Sequence, residues 1–531
     1  MQKIKRFFLG PPAFIAALML LCLHFILENR LSAPWQDPLW ECLALAALPL
    51  CHHCYETFKR RQGLRRFDPR LLALAAAAIM LCRQDLMTSA VLCLICGFNE
   101  HLNNVLRRFL TRDLLKFQQD GPKSYQYSDR ELKLQNLNPQ LTAATAVAAF
   151  CAFAWDAVPE SAAAVLVSVN TGLFGMITAC AFMSAMSALV DRGVWVRSRA
   201  ALEHLGESTV FITDKNGTLT DGKCEVTDVI ALKGVTEDEV AQLAASAELA
   251  CKNRIGAALI REAVRRGLKP LRADNPRFFR HRGCYVMIEG TDYQCGNDAF
   301  LRQSGKNTLG RISDIAQSLR AKGKTVIFLA DGARVIGIIA LKSTVRPRMR
   351  DLVEIMRDSG HEIALLSADA HLTVKSLGAQ AGIMQTSCDM SAEQKSVAVA
   401  AYAHDRGKGV MVLTHDIETA DVSGVACAFK NMGPQLCSHA AVVSLRDDPA
   451  QLALGYLQAR RALRAARLSC IAWAAAQIFL AAVSFFGLVS PLGASLSCLL
   501  CGTAAVICGI SASGAGVSVP LRQDTRTEPG F

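Results

Sequence analysis

Two kinds of patterning alternate along the chain. At both ends uninterrupted apolar runs dominate: residues 12–27 and 39–51 form a first pair, 71–82 and 87–98 a second, 141–155 and 162–190 a third, and 468–489 and 492–511 a fourth. A comfortable bilayer crossing takes about 20 apolar residues, so these runs predict eight membrane-spanning helices, with the second, third and fourth short. Residues 191–467 read differently. Short β-branched runs ("TVFIT", "HEIALLSAD", "GVMVLTHD", "GVACAF", "AAVVSL") alternate there with amphipathic stretches. That order builds a parallel sheet covered by helices. From about residue 226 to 341 the pattern changes again. It is helical in "EDEVAQLAASAELACKNRIGAALIREAVRRG" and strand-like in "GCYVMIEGTDYQCGN" and "KTVIFLADGARVIGIIAL", as in an α+β domain inserted in a loop of the first. The expected organisation is six spans in 1–190, an α/β domain in 191–225 and 342–466 interrupted by the insertion 226–341, two spans in 467–511, and a polar tail in 512–531.

Composition agrees with a membrane chain: 51% of residues are hydrophobic and 20% charged. The first run carries no small-residue cleavage site and is followed at once by another apolar run, which argues against a removed signal peptide. The net charge of +12 raises the question of nucleic acid, but the basic clusters sit at span ends. Lys3, Lys5 and Arg6 precede the first span, "FKRRQGLRRFDPR" follows the second, "RRFLTR" the fourth, and "QARRALRAAR" leads into the seventh. Each falls where paired spans return to one side, so the excess reads as positive-inside topology in a cell membrane, with both termini and the large polar region cytoplasmic. Membrane lipid is the expected surrounding, and no nucleic-acid partner is expected. Most of the 20 cysteines lie in or beside apolar runs, and the others lack zinc-ribbon spacing, which suits a reduced compartment.

The chemistry gathers where parallel strands end. Asp214 closes the first strand, Ser367 and Asp369 the second, and His415 and Asp416 the third, while Lys395 opens a helix between the last two. A carboxylate is a competent nucleophile toward phosphorus, and Gly217 permits a turn that aims amides at a phosphate. Ser367 is placed to donate to a phosphate oxygen, Lys395 to offset its charge, and Asp214 with a third-strand carboxylate to hold Mg²⁺.

"DKNGTLT" closely resembles the DKTGTLT phosphorylation motif of P-type ATPases. The longer stretch "DRGVWVRSRAALEHLGESTVFITDKNGTLTDGK" resembles the heavy-metal-transporting branch, and the likeness continues through "VRPRMRDLVEIMRDSGHEIALLSAD" to the last two spans. The resemblance implies a polytopic α-helical membrane domain plus a cytoplasmic α/β haloacid-dehalogenase-like phosphorylation domain carrying an inserted α+β nucleotide-binding domain. It implies ATP-driven cation export through an aspartyl-phosphate, with ATP and Mg²⁺ as cofactors. Carried onto this chain, it implies catalytic roles for Asp214, Lys215, Thr218, Ser367 and Lys395. Nucleotide contacts would come from Asn216, Gly217, Asn253, Gly283 and Asp369, and Mg²⁺ ligands from Asp214, Asn216 and Asp416. For the transported metal, Cys180, Cys498 and Cys501 are the candidate ligands.

The departures are as specific as the match. Asn216 replaces the motif's threonine, Ser367-Ala368-Asp369 replaces TGD, and Ser343 replaces the aspartate of a DPLR-like segment. In "THDIET" either His415 or, with a one-residue shift, Asp416 stands at the magnesium aspartate of GDGxND. "CKNR" (residues 251–254) replaces SEHP, and His281 takes the place of one of two glycines, leaving Gly283. Residues 99–140 are too few for the family's actuator domain and contain no TGE, and the CPC metal motif is missing from "GMITACAFMSAMSALV". "CHHC" at 51–54 puts only Cys51 and Cys54 on one helical face. Packed membrane cysteines remain the ordinary reading of these groups.

Three functional readings follow. One is an ATPase relative that still forms an aspartyl-phosphate. Another is an inactive regulatory or scaffold partner, for instance of a metal pump. The last is a membrane-tethered phosphatase of haloacid-dehalogenase type, for which Asn216 stands where an acid is wanted.

Overall fold

A computed structural model describes residues 11–27, 38–60, 69–116, 128–170, 172–232, 234–249, 254–279, 282–303, 305, 311–332, 334–406 and 409–514. The chain divides into two compact units.

The first unit is helical. It contains α1 (Pro11–Leu27), α2 (Pro38–Arg60), α3 (Pro69–Cys82), α4 (Leu86–Lys116), α5 (Asp129–Asp156), α6 (Pro159–Ser168), α7 (Gly172–Asp191) and α8 (Arg199–Glu207). Each expected apolar run except the sixth falls on a single helix, the seventh overrunning its helix by four residues. Among the described residues, however, only Asp129–Asp156, Pro159–Asp191, Pro449–Phe485 and Pro491–Gly514 are long and apolar enough to cross a membrane; 13–24, 70–82 and 86–99 are shorter apolar pieces.

The sixth run, expected as one span, is broken between α6 and α7. Three local causes are visible. The Ser168 hydroxyl donates to Val165 O at 2.8 Å, Val169 is extended at φ −114°, and Asn170 N donates to the Gln477 side chain at 2.6 Å instead of to a helical carbonyl. Irregular backbone at membrane depth is tolerable only where protein groups satisfy it, and Gln477 does so here.

The second unit holds two sheets. In the seven-stranded one the order is β1 (Val194–Val196), β13 (Val442–Ser444), β12 (Val425–Phe429), β11 (Val410–Leu413), β2 (Val210–Asp214), β9 (Glu362–Leu366), β10 (Gln385–Ser387), parallel except for β1. β2, β11 and β12 are buried along their whole length, which explains their continuous apolar runs. From β2 the chain crosses first to β9 and β10, then to β11 on the other side, so strand order reverses at β2. Ligands of open α/β sheets bind outside the carboxyl end of such a strand. Asp214 is that end.

The inserted sheet runs β3 (Thr220–Ala231), β8 (Val335–Val345), β7 (Thr325–Ala330), β6 (Thr291–Gly296), β5 (Gly283–Ile288), β4 (Asp274–Phe279), all antiparallel. Its outer arms, β3 and β8, pair from Thr220↔Val345 onward and straddle the expected limits of 226 and 341. Two amphipathic helices, α9 (Glu237–Glu248) and α10 (Arg254–Arg265), pack their alanine-rich faces on β3 and β5. A capping box between Thr236 and Glu239 starts α9. The further labelled helices are α11 (Met349–Asp358), α12 (His371–Ala381), α13 (Ala392–Arg406), α14 (Ile417–Asp421), α15 (Pro449–Phe485) and α16 (Pro491–Gly514).

Candidate phosphoryl-transfer site

A one-turn loop follows β2. The Asp214 carboxylate accepts from Lys215 N at 2.7 Å, and the Thr218 hydroxyl donates to Asp214 O. Thr220 Oγ1 donates to Lys215 O at 3.1 Å, which closes the turn. Gly217 sits at φ +75°, a region that costs any residue with a Cβ. These local demands account for the Asp-x-x-Gly-Thr-x-Thr spacing.

Lys395, in the first turn of α13, places Nζ 2.9 Å from Asp214 Oδ1 and 3.8 Å from Asp416 Oδ2. Asp416 precedes α14, and its backbone N–H donates to Thr414 Oγ1 at 3.0 Å. The side chains of Asp214 and Lys395 are 8% and 9% exposed. Burial pushes the Asp214 carboxyl above the usual carboxylate range, the Lys395 ammonium pulls it back, and the Asp416 charge adds to the rise. Ser367 is fully buried beside this group, and its Oγ accepts from Asp369 N at 3.2 Å. Lys215, 1% exposed, pairs with Asp369 and donates to Thr325 Oγ1 at 3.1 Å. Asn216 is exposed.

Asp214, Lys215, Thr218, Ser367, Asp369, Lys395 and Asp416 therefore meet around the end of β2. Other candidates do not join them. Gly283 lies on β5 opposite Gly296, where a Cβ would meet Cys295 O at 2.3 Å, so close strand packing alone requires a glycine. Ser343 is on β8 opposite Cys224. Cys251, Asn253 and His281 lie outside the described residues.

Two contributors had not been anticipated. Arg346 is buried, donates to Gly217 O at 2.9 Å and Thr218 O at 3.2 Å, and lies 4.4 Å from the Phe429 ring centroid. It fastens the turn from outside. Its one visible signal was a charged residue ending the long apolar strand of "GIIALKSTVRP". Thr325, the other, opens β7.

The cysteine candidates are dispersed. Cys498 is buried and its Sγ accepts from Gln477 Nε2 at 3.5 Å, beside the break at Asn170; Cys501 is exposed. Cys180 is buried on α7. Cys54 is buried whereas Cys51 is exposed, so the shared face expected of them does not pack as one. Among the described residues no three His, Cys, Asp or Glu side chains converge on a metal-sized site.

Residues 209–412 match the haloacid dehalogenase-like hydrolase family. A copper-transporting P-type ATPase of Rhizobium leguminosarum bv. viciae is 28% identical over 54% of this chain and 35% of its own length. Copper-exporting P-type ATPase B of Archaeoglobus fulgidus is 28% identical over 42% of this chain and 32% of its own. The chain thus matches about a third of the length of these curated relatives. A crystal structure of a zinc-transporting PIB-type ATPase in the E2.Pi state superposes with a TM-score of 0.63 at 17% identity, covering 94% of this chain and 98% of that one. Helices of membrane-spanning character together with a haloacid-dehalogenase-like domain carrying an inserted sheet give the chain the fold of that PIB-type ATPase structure. The relatives narrow the likeness: over the matched part this chain is similar to heavy-metal-transporting P-type ATPases, and its long apolar helices fit a membrane protein.

Proposed function

We propose that the chain takes the γ-phosphoryl group of ATP onto Asp214. The observation that supports this most directly is the Asp214–Lys395–Asp416 cluster at the strand-order reversal. Lys395 Nζ and Lys215 N both bond Oδ1, leaving Oδ2 as the attacking oxygen. Attack forms the Oδ2–phosphorus bond as the bond to the β–γ bridging oxygen breaks, and ADP departs with that electron pair. Lys395 stabilises the added charge on phosphorus. Ser367 Oγ, occupied as an acceptor by Asp369 N, keeps its proton to donate to a phosphate oxygen. Lys215 and Asp369 brace each other and tie the loop to Thr325 at the base of the insertion.

The donor set suits Mg²⁺, which takes one or two carboxylates along with water and phosphate oxygens. Asp214 and Asp416 would hold it, with Asn216 beside them, and it would neutralise phosphate charge during transfer. ATP would be bound by the inserted domain. The copper-transporting and copper-exporting relatives make a heavy-metal cation the candidate cargo.

A regulatory or scaffold role without turnover is the second reading, and one observation favours it. Only residues 117–128 connect α4 to α5, too few for a domain that would hydrolyse an aspartyl-phosphate at that position. Acid-quenched labelling of the purified chain with γ-labelled ATP and Mg²⁺ separates the two. Phosphoryl transfer gives a hydroxylamine-sensitive label that Asp214→Asn abolishes. Absence of label, where an intact related pump labels alongside, refutes transfer and favours the scaffold.

A further inference from the structure

An open cavity of about 560 Å³ lies among α3, α5 and α6 in the helical unit. Small side chains hollow it out, Ala146 and Ala149 among them, and Ile79, Phe150, Phe153 and Leu166 wall it. Its lining is almost wholly apolar, so a water inside would lack the two to four polar partners that hold buried water. Left empty, the hollow would cost its walls their dispersion contacts. Among the lining residues one is charged, Arg83, and it carries an ion-pair partner beside the cavity. Arg83, in the turn between α3 and α4, places Nη2 3.2 Å from Glu160 Oε1 in the first turn of α6. These side chains are 42% and 49% exposed, which makes the pair a weak one that another ion pair can replace.

We propose that this cavity seats one acyl chain of a phospholipid whose head carries a phosphate and a primary ammonium, as in phosphatidylethanolamine. The argument rests on charge complementarity at the mouth. A guanidinium and a carboxylate side by side match a phosphate and an ammonium on one head group, the phosphate taken by the fork of Arg83 and the ammonium by Glu160. An anionic glycerol head offers nothing to Glu160 and is repelled by it. A choline head presents no N–H to bond. The apolar hollow supplies affinity for the chain, and the ion pair supplies choice of head.

The test is native mass spectrometry of the delipidated full chain in detergent, offered phosphatidylethanolamine, phosphatidylglycerol or phosphatidylcholine with the same acyl chains. Wild type is expected to retain a single phosphatidylethanolamine in preference to the other two. Arg83→Gln removes a charge-assisted bond and is expected to weaken that retention about tenfold. Glu160→Gln is expected to abolish the preference over phosphatidylglycerol, and Ala146→Trp to abolish retention by filling the hollow. Ala146 is exposed and Arg83 and Glu160 lie at the surface, so these changes spare the packed interior. The proposal is overturned if wild type holds no lipid through delipidation and re-addition, if it holds phosphatidylglycerol as tightly, or if folded Ala146→Trp retains lipid as wild type does.

Discussion

Removing the Lys395 ammonium by Lys395→Met strands the Asp214 carboxylate in a buried site. The pair is 2.9 Å apart with both side chains under a tenth exposed. At an effective dielectric of about 20 the attraction is about 6 kcal/mol, and breaking a buried pair by deleting one partner typically costs about 3–5 kcal/mol. The carboxylate has an escape, because it can take up a proton. Protonating an aspartate of ordinary pKa (about 3.9) costs about 4 kcal/mol at pH 7 and about 1.5 kcal/mol at pH 5, at about 1.36 kcal/mol per unit. Those figures cap the loss, so Lys395→Met should cost at most about 4 kcal/mol at pH 7 and much less at pH 5. The sign follows from a folded-state pKa raised above the unfolded one, whose stabilising protonated form is lost as pH rises. For a unit of this size that cap is at most about 8–16 °C in Tm at pH 7, at about 2–4 °C per kcal/mol. Scanning tryptophan fluorescence can follow it, since Trp195 on β1 belongs to the seven-stranded sheet. In a double-mutant cycle, Asp214→Asn with Lys395→Met should recover at least about 2 kcal/mol of the summed single losses. Additive losses, or a Lys395→Met deficit unchanged between pH 5 and 7, would refute the coupling.

Other outcomes follow from the same geometry. Arg346→Ala should destabilise the second unit by about 3 kcal/mol, because two charge-assisted bonds to carbonyls and a desolvated ring contact are lost, and Arg346→Lys should restore only part in thermal scans. Labelling of Asp214 should rise with pH, its midpoint lying above the usual carboxylate value since burial raises the pKa and only the carboxylate attacks; a stopped-quench pH series reads this directly. Gly283→Ala should lower the melting temperature of the insertion, as its Cβ would lie 2.3 Å from a backbone oxygen, and hydrogen exchange should localise the loss to β5 and β6.

What the sequence revealed followed from side chains acting close to home. β2, β9 and β11 were legible because buried parallel strands read as apolar runs, and their ends located Asp214, Ser367 and Asp416. Lys395 was legible as a cation opening a helix. Arg346 was hidden because its partners are carbonyls of a turn more than a hundred residues away, and carbonyls leave no trace in residue type. The broken sixth run was hidden for a similar reason. Asn170 leaves the helix because Gln477, on a distant helix, accepts its N–H. Spacing placed Cys498 and Cys501 close together, but helical phase buries the first and exposes the second. β3 and β8 go on pairing beyond residues 226 and 341 through polar positions that periodicity does not register.

The most direct test of a phosphorylated Asp214 is chemical trapping at the residue itself. Borohydride reduction of the acid-quenched protein, after incubation with ATP and Mg²⁺, converts an aspartyl-phosphate to homoserine. Peptide mapping is expected to find homoserine at position 214 and nowhere else. An unmodified Asp214, or phosphate found instead on Thr218 or Ser367, would contradict the account.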